Sequence, residues 1–406
     1  PWLLALVLCL FLVSCGTWEP GPPDHDDDAG DDDSNDDDAG DDDATDDDVG
    51  DDDVGDDDVG DDDTGDDDTD ICDNHPNEWI CDFSDAVECD AAGDIASTEF
   101  CDPVMGLFGL PSLGCVICSP GELWCQADDV VECDPDGQWY TVVDPCDVSQ
   151  GEVCLTDTCV TLCDLAELEG STIGCEFFAV DTDQHDLGPE TVQYAVALSN
   201  VDPALVAQAI IESWNGNSWT TEWSGSINPQ DLVTVNLADR HVDDTAINPG
   251  GAYRITSTIP IIAYQFNPVD GQNSYLSDAS WLIPTAALDT IYRVPGWDQA
   301  ADNTGITQHS SIDVVATVPN TLVEITPSIA TLGGGNVPAG VAGQTFTVTL
   351  ANEGDYVQIA SNANQQSLAG TKVQTTNQPV AVFAGHECAL IPNPSTCCCD
   401  HMEEQI

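Results

Sequence analysis

Between residues 26 and 70 the triplet Asp-Asp-Asp returns nine times at a strict five-residue period, separated by pairs such as Ala-Gly, Val-Gly and Thr-Gly. The pattern offers no apolar face at period 2 or 3.6, and adjacent carboxylates repel one another. Burial therefore cannot offset the entropy of ordering this backbone, and the stretch is predicted to be a disordered, extended tether. With its flanking polar residues it covers 15–71, and at about 3.3 Å per residue it reaches at most roughly 180 Å. Its carboxylate density suits a hard cation that takes six to eight oxygens, but unbroken triplets supply no preset cage. A solubilising spacer with weak, non-stoichiometric Ca²⁺ binding is the expectation, with no other cofactor.

The charge balance narrows the partners. Against 77 Asp and Glu the chain carries four basic side chains, Arg240, Arg254, Arg293 and Lys372, for a formal net charge of −73. Four scattered cations cannot form the electrostatic footprint that nucleic acid requires, so nucleic acid is excluded as a partner. The same deficit disfavours anionic head groups and phosphoryl transfer. Cations are the natural small partners.

Residues 1–14, PWLLALVLCLFLVS, form an apolar run too short to span a bilayer and read as the core of a signal peptide whose start is truncated. The Leu12-Val13-Ser14-Cys15 run that ends it resembles the lipobox of bacterial lipoproteins. That resemblance implies cleavage before Cys15, lipidation of its thiol, and anchoring to the membrane through the acyl chains.

Nineteen cysteines indicate an oxidising compartment. Twelve of them crowd into residues 72–163: Cys72, Cys81, Cys89, Cys101, Cys115, Cys118, Cys125, Cys133, Cys146, Cys154, Cys159 and Cys163. Residues 79–101, WICDFSDAVECDAAGDIASTEFC, lie over 124–146, WCQADDVVECDPDGQWYTVVDPC, sharing Val-Glu-Cys-Asp at 87–90 and 131–134. Two units this small build little core, so disulfides through all twelve cysteines are the expected stabiliser, with connectivity left open. Zinc is the rival, on the CxxC spacing of Cys115 and Cys118, but no second such pair completes a site.

From residue 164 to 406 cysteines nearly stop, and short β-branched and aromatic runs alternate with turn signals. VQYAVALSN, AQAIIES, LVTVNL, AYRITS, IPIIAYQF, IDVVATV, TLVEITP, TFTVTLA, DYVQIAS, TKVQTT and PVAVFAG all read as strands. The fold class is all-β: a multi-strand antiparallel domain, with a sandwich favoured over a propeller. A second duplication lies inside it. Residues 251–264 overlay 370–383 without a gap, and each copy is read as a hairpin in which Pro260 or Pro379 begins a strand.

Five segments in order carry a family resemblance: Gly174-Cys-Glu-Phe-Phe-Ala-Val, Pro260-Ile-Ile-Ala-Tyr-Gln-Phe-Asn-Pro, Ser277-Asp-Ala-Ser-Trp-Leu-Ile-Pro-Thr, Pro379-Val-Ala-Val-Phe-Ala-Gly-His-Glu-Cys388 and Cys399-Asp-His-Met-Glu-Glu-Gln405. Over about residues 170–406 the chain resembles the IgGFc-binding protein N-terminal domain, which recurs in secreted or lipid-anchored proteins of myxobacteria. The family continues past Glu-Glu-Gln, which implies that the domain is incomplete at Ile406. The triple Cys397-Cys398-Cys399 stands where the family has one cysteine.

The candidate chemistry is sparse. His386 and Glu387 with Asp400 and His401 offer nitrogen and carboxylate ligands that zinc would accept; a loop tied by Cys388 to one of Cys397 to Cys399 is the structural alternative. Asp181-Thr-Asp183-Gln-His-Asp186 is spaced like a calcium loop or a polar turn. Trp214, Trp219 and Trp223 suit a carbohydrate surface or a twisted hairpin. No nucleophile elbow, phosphate loop or dinucleotide fingerprint appears, and no catalytic residue is assigned. The expectation is a lipid-anchored protein of the outer membrane and cell surface that binds an extracellular protein or glycan and is not an enzyme. The alternatives are the front part of an extracellular hydrolase and a structural stalk.

Overall fold

The computed structural model describes residues 72–406 except 73–74, 83–84, 102–106, 111–112, 186–191, 270–275, 303, 377, 396–397 and the side chains at 81–84. The segments read as a signal peptide, a lipidated Cys15 and an Asp-rich tether with weak Ca²⁺ binding lie outside the described residues. The described residues fall into two compact units, one made of those up to Leu123 with Val131–Val142 and the other of Trp124–Val130 with Val143–Ile406.

The first cysteine-rich repeat folds as β1 (Trp79–Asp82), β2 (Asp85–Cys89) and β3 (Ile95–Phe100), an antiparallel sheet, followed by the hairpin of β4 (Phe108–Leu110) and β5 (Gly114–Val116). The second repeat places β6 (Leu123–Gln126), β7 (Asp129–Cys133) and β8 (Tyr140–Pro145) at the matching positions, then the hairpin of β9 (Glu152–Leu155) and β10 (Thr158–Thr161). Strand for strand, the duplication read in the sequence is a duplication of structure.

The disulfides obey the same register. Cys101–Cys115 and Cys146–Cys159 are equivalent, and Cys115 and Cys118 belong to different bridges, so their CxxC spacing makes neither a zinc knuckle nor a redox pair. Cys72–Cys89, Cys118–Cys133 and Cys163–Cys175 form a second series. Cys125–Cys154 has no counterpart among the described residues: the first repeat has Gly109-Leu110 where the second has Cys154, and the side chain of Cys81, which matches Cys125, lies outside them. The partner of Cys163 therefore lies beyond the twelve, in the first strand of the large domain.

A single α-helix, α1 (Leu162–Glu169), precedes that strand. Thr161 and Asp164 form a reciprocal capping box at its start, and Gly170 at φ 58° ends it in the left-handed region. The large domain then runs β11 (Gly174–Ala179), β12 (Ala195–Asn200), β13 (Ala207–Trp214), β14 (Trp219–Ile227), β15 (Leu232–Asn236), β16 (Ala246–Asn248), β17 (Tyr253–Asn267) and β18 (Asp278–Trp281). It continues with β19 (Ile291–Arg293), β20 (Ala300–Ala301), β21 (Thr307–Gln308), β22 (Ser310–Ala316), β23 (Thr321–Thr326), β24 (Phe346–Leu350), β25 (Tyr356–Ala360), β26 (Lys372–Thr375), β27 (Val380–Ala389) and β28 (Asp400–Gln405). Among the described residues of the large domain the strand pairs are antiparallel, as the sequence predicts.

The internal duplication extends well past the segment visible in the sequence. In the first copy the front half of β17 lies in the order β14-β13-β17-β11, and its back half in the order β15-β12-β17-β18. In the second copy the orders are β24-β23-β26-β19 and β25-β22-β27-β28, with β16 added at one edge. One point of the sequence reading is corrected. Pro260 begins no strand, because β17 passes through it unbroken; pairing to β13 ends at Ser257 and pairing to β12 resumes at Ile261, so the missing N–H is not required by either ladder. In the second copy the chain instead leaves one sheet after Thr375 and joins another at Val380.

The sheet centred on β22 and β27 is covered on both faces. Ile312, Val314, Val357, Ile359, Val380 and Val382 pack into one core with Val323, Ile325, Val348 and Val373 of the facing sheet, which is the sandwich arrangement. Val315, Tyr356, Ala381 and Phe383, on the opposite face, join the core of the first copy. Burial on both sides explains why PVAVFAG reads as a continuous apolar run rather than an alternating one.

Candidate functional site

The face of the central sheet that meets the first copy is apolar at one end and polar at the other. Asp313 of β22 and Gln358 of β25 are direct cross-strand neighbours on that face. Against them lies an extended strap, residues 180–184, leaving β11 with every residue buried. The side chains of the strap are held individually. The Thr182 hydroxyl donates to Glu403 Oε2 at 2.9 Å, and Asn267 Nδ2 donates to the Thr182 carbonyl at 2.7 Å. Gln265 Nε2 donates to the same Glu403 oxygen at 2.9 Å. Asp181 accepts the Arg240 N–H at 2.9 Å, and burial pushes its carboxyl up to about 8. Asp183 accepts the Asp244 N–H at 2.9 Å and Gln358 Nε2 at 3.0 Å through one oxygen, while its other oxygen has no hydrogen-bond partner among the described residues. Burial raises the Asp183 carboxyl to about 7. Of the segment spaced like a calcium loop or a turn, residues 181–184 thus form a buried strap in which Asp181 and Asp183 have separate partners, and Asp186 lies outside the described residues.

Asp183 also forms part of the floor of an open cleft of about 470 Å³, lined further by Asp243, Asp244, Thr307, His309 and Glu387. The antiparallel pairing of β22 with β27 places His309, just ahead of β22, beside Glu387 near the end of β27. The two residues clamp each other: Glu387 N–H donates to the His309 carbonyl at 3.0 Å, and His309 N–H donates to Glu387 Oε2 at 2.8 Å. The His309 ring is oriented by Nδ1, which donates to the Ser361 carbonyl at 2.7 Å, so in the neutral ring Nε2 is the atom that carries the lone pair. It stands 3.8 Å from Asp244 Oδ1. One ligand atom from each of Asp244, His309 and Glu387 lies within 4.8 Å of the other two. The cleft takes Asp183 and Asp244 from the first copy and His309 and Glu387 from the second, a junction of the kind where binding sites are common.

The four residues singled out in the sequence do not converge. On β28 the alternation of buried and exposed residues sends Asp400 outward and His401 inward. His386 is buried with both ring nitrogens used: Nδ1 accepts the Cys388 N–H at 3.1 Å and Nε2 donates to the Asp298 carbonyl at 3.2 Å. Burial lowers it to about 4, so it is a neutral core histidine at ordinary pH. His401 Nε2 meets the Thr182 hydroxyl at 3.2 Å. Glu387 alone among them belongs to a convergent group, with two partners that the sequence reading missed. The signal was the run Asp239-Arg-His-Val-Asp-Asp244, dense in carboxylate around a histidine.

Two other groups of ligand-type atoms converge among the described residues. His185 lies near Cys388 and Cys399, but those sulfurs are bonded to each other, which identifies Cys399 as the partner of Cys388. Asp181, Asp239 and His241 form the other group, in which His241 Nδ1 stands 2.6 Å from Asp239 and Asp181 accepts the Arg240 N–H instead. The tryptophans are used in packing: Trp214 meets Trp219 edge to face, and the Arg254 guanidinium sits 4.1 Å above the Trp219 ring between Glu212 and Glu353.

A family model described as IgGFc binding protein matches residues 278–406. The matched segment begins at β18 and contains the whole second copy, including His309 and Glu387. The Gly174 and Pro260 segments of the resemblance fall outside it. No curated protein and no solved structure matches the chain.

Proposed function

We propose that the chain is a bacterial surface lipoprotein of the myxobacterial type, anchored at the outer membrane through Cys15, whose β domain binds an extracellular protein or glycan without chemically altering it. The observation that carries this reading is the match of the second copy to a family named for binding, and the bridged cysteines are consistent with an extracytoplasmic location. The cleft offers polar contacts at a junction of two copies, as recognition of a polar partner requires. The family name does not carry antibody Fc to this chain as its ligand; Fc is one protein to include in a panel.

A tether of this reach is useful to a head that must clear the membrane. Whole cells displaying the chain should therefore capture a labelled protein or glycan from such a panel saturably, and deletion within residues 26–70 should reduce capture while the purified chain titrates the same partner with unchanged affinity. Equal capture by both cell types would support the stalk, and turnover of the bound partner would support the hydrolase.

A further inference from the structure

The cleft has a chemistry that its own side chains leave unbalanced. Four carboxylates line it, from Asp183, Asp243, Asp244 and Glu387, and no basic side chain does. The four cations of the chain are engaged elsewhere. Arg240 donates to the Ser213 hydroxyl and the Gly250 carbonyl, and Arg254 pairs with Glu212 and Glu353. Arg293 donates to the Gly370 carbonyl, and Lys372 to Gln374. We propose that the cleft binds one divalent first-row metal ion through His309 Nε2 and the carboxylates of Asp244 and Glu387, above the buried Asp183.

Three observations point to a metal rather than to a merely acidic surface. The first is the donor set, one imidazole nitrogen with carboxylate oxygens, which suits zinc and its neighbours better than an all-oxygen calcium cage. The second is orientation. His309 is turned by its bond to the Ser361 carbonyl so that Nε2 faces the carboxylates, the outer-shell arrangement that fixes a metal-binding imidazole. The 3.8 Å from Nε2 to Asp244 Oδ1 is too long for a hydrogen bond, yet within the span of two metal bonds of about 2.0–2.2 Å each. The third is Asp183, 2 % exposed, lining the cleft and keeping one oxygen without a hydrogen-bond partner among the described residues. Buried polar oxygens of that kind are rare unless a cation or water answers them.

The site belongs to one side of the duplication only. The 119-residue offset between the copies puts Pro268 at the position equivalent to Glu387, so the first copy cannot supply the same ligand. Three protein ligands in an open cleft leave further coordination positions facing outward. A bound ion would turn an acidic cleft into an acceptor for carboxylate or hydroxyl oxygens of a partner. That last step rests on the binding reading above, whereas the test below involves the metal alone.

The full chain is stripped with a chelator, alkylated with iodoacetamide so that free thiol cannot contribute, and titrated with Zn²⁺ by calorimetry and with Co²⁺ by visible absorption. One saturable site is expected above the weak background of the tether, with a Co²⁺ spectrum of mixed nitrogen and oxygen ligation. His309→Gln and Asp244→Asn should each weaken it by at least about tenfold, and Asp400→Asn should leave it unchanged. Asp244 is exposed, so its variant carries the test if His309→Gln fails to fold. A titration showing only the unsaturating background, or a saturable site that survives both ligand variants, would overturn the proposal.

Discussion

Asp313 is fully buried, and neither of its carboxylate oxygens has a hydrogen-bond partner among the described residues. Desolvation pushes its pKa well above the ordinary value, and the fields of Asp183, Glu403 and Asp181 push it further in the same direction. The folded chain therefore keeps a proton that the unfolded chain gives up above about pH 3.9. With more protons bound folded than unfolded, stability is greatest on the acid side and declines as pH rises through that window, at up to about 1.4 kcal/mol per unit for one proton. Asp313→Asn mimics the protonated form at all pH values. Thermal melts should show it level with the parent at pH 4 and more stable at pH 8, and an equal difference at both would mean that Asp313 is ionised in the fold. Little of this was legible in the sequence, since IDVVATV reads as an ordinary strand with one polar residue. What makes Asp313 unusual is the cover on its second face, supplied by a strap more than a hundred residues earlier in the chain.

At the scale of elements, the strands were legible where one face meets a core and the other meets water, as in β13, where buried and more exposed residues alternate. The central strands were legible as strands, while their burial on both faces was not. α1 was missed although Thr161, Asp164 and Gly170 mark both of its ends, because eight residues give too short a window for a helical period. The cleft was illegible for a different reason: its lining comes from residues 183, 243–244, 306–307, 309 and 387, and only the pairing of β22 with β27 brings His309 and Glu387 together. The two-sided cover of β27 carries its own consequence. Phe383 is fully buried and extends from the central sheet into the core of the first copy, so Phe383→Ala removes packing that ties the copies together. Urea unfolding should show a loss of about 3–5 kcal/mol. A loss below about 1 kcal/mol would mean that the copies are not coupled through this face.

For the whole molecule the cysteine series matters most. Cys163–Cys175 repeats the positions of Cys72–Cys89 and Cys118–Cys133, so the periodicity of the small repeats runs one step into the large domain and fastens α1 to β11. Its loop is only 12 residues, but removing native bridges of this kind typically costs about 2–4 kcal/mol. Urea melts of the paired variant Cys163→Ser with Cys175→Ser, which leaves no odd thiol, should show a loss in that range, and an unchanged midpoint would make the bridge incidental to the fold. The connectivity also has a mechanical meaning. When the chain is pulled between residue 72 and residue 175, backbone enclosed by a bridge cannot straighten even after its strands have come apart. Only stretches outside every bridge, such as 89–101, can lengthen freely under load, because Cys125–Cys154 also encloses 133–146. The segment next to the large domain therefore behaves as a nearly inextensible cord, and whatever slack the molecule offers against drag must come from elsewhere along it.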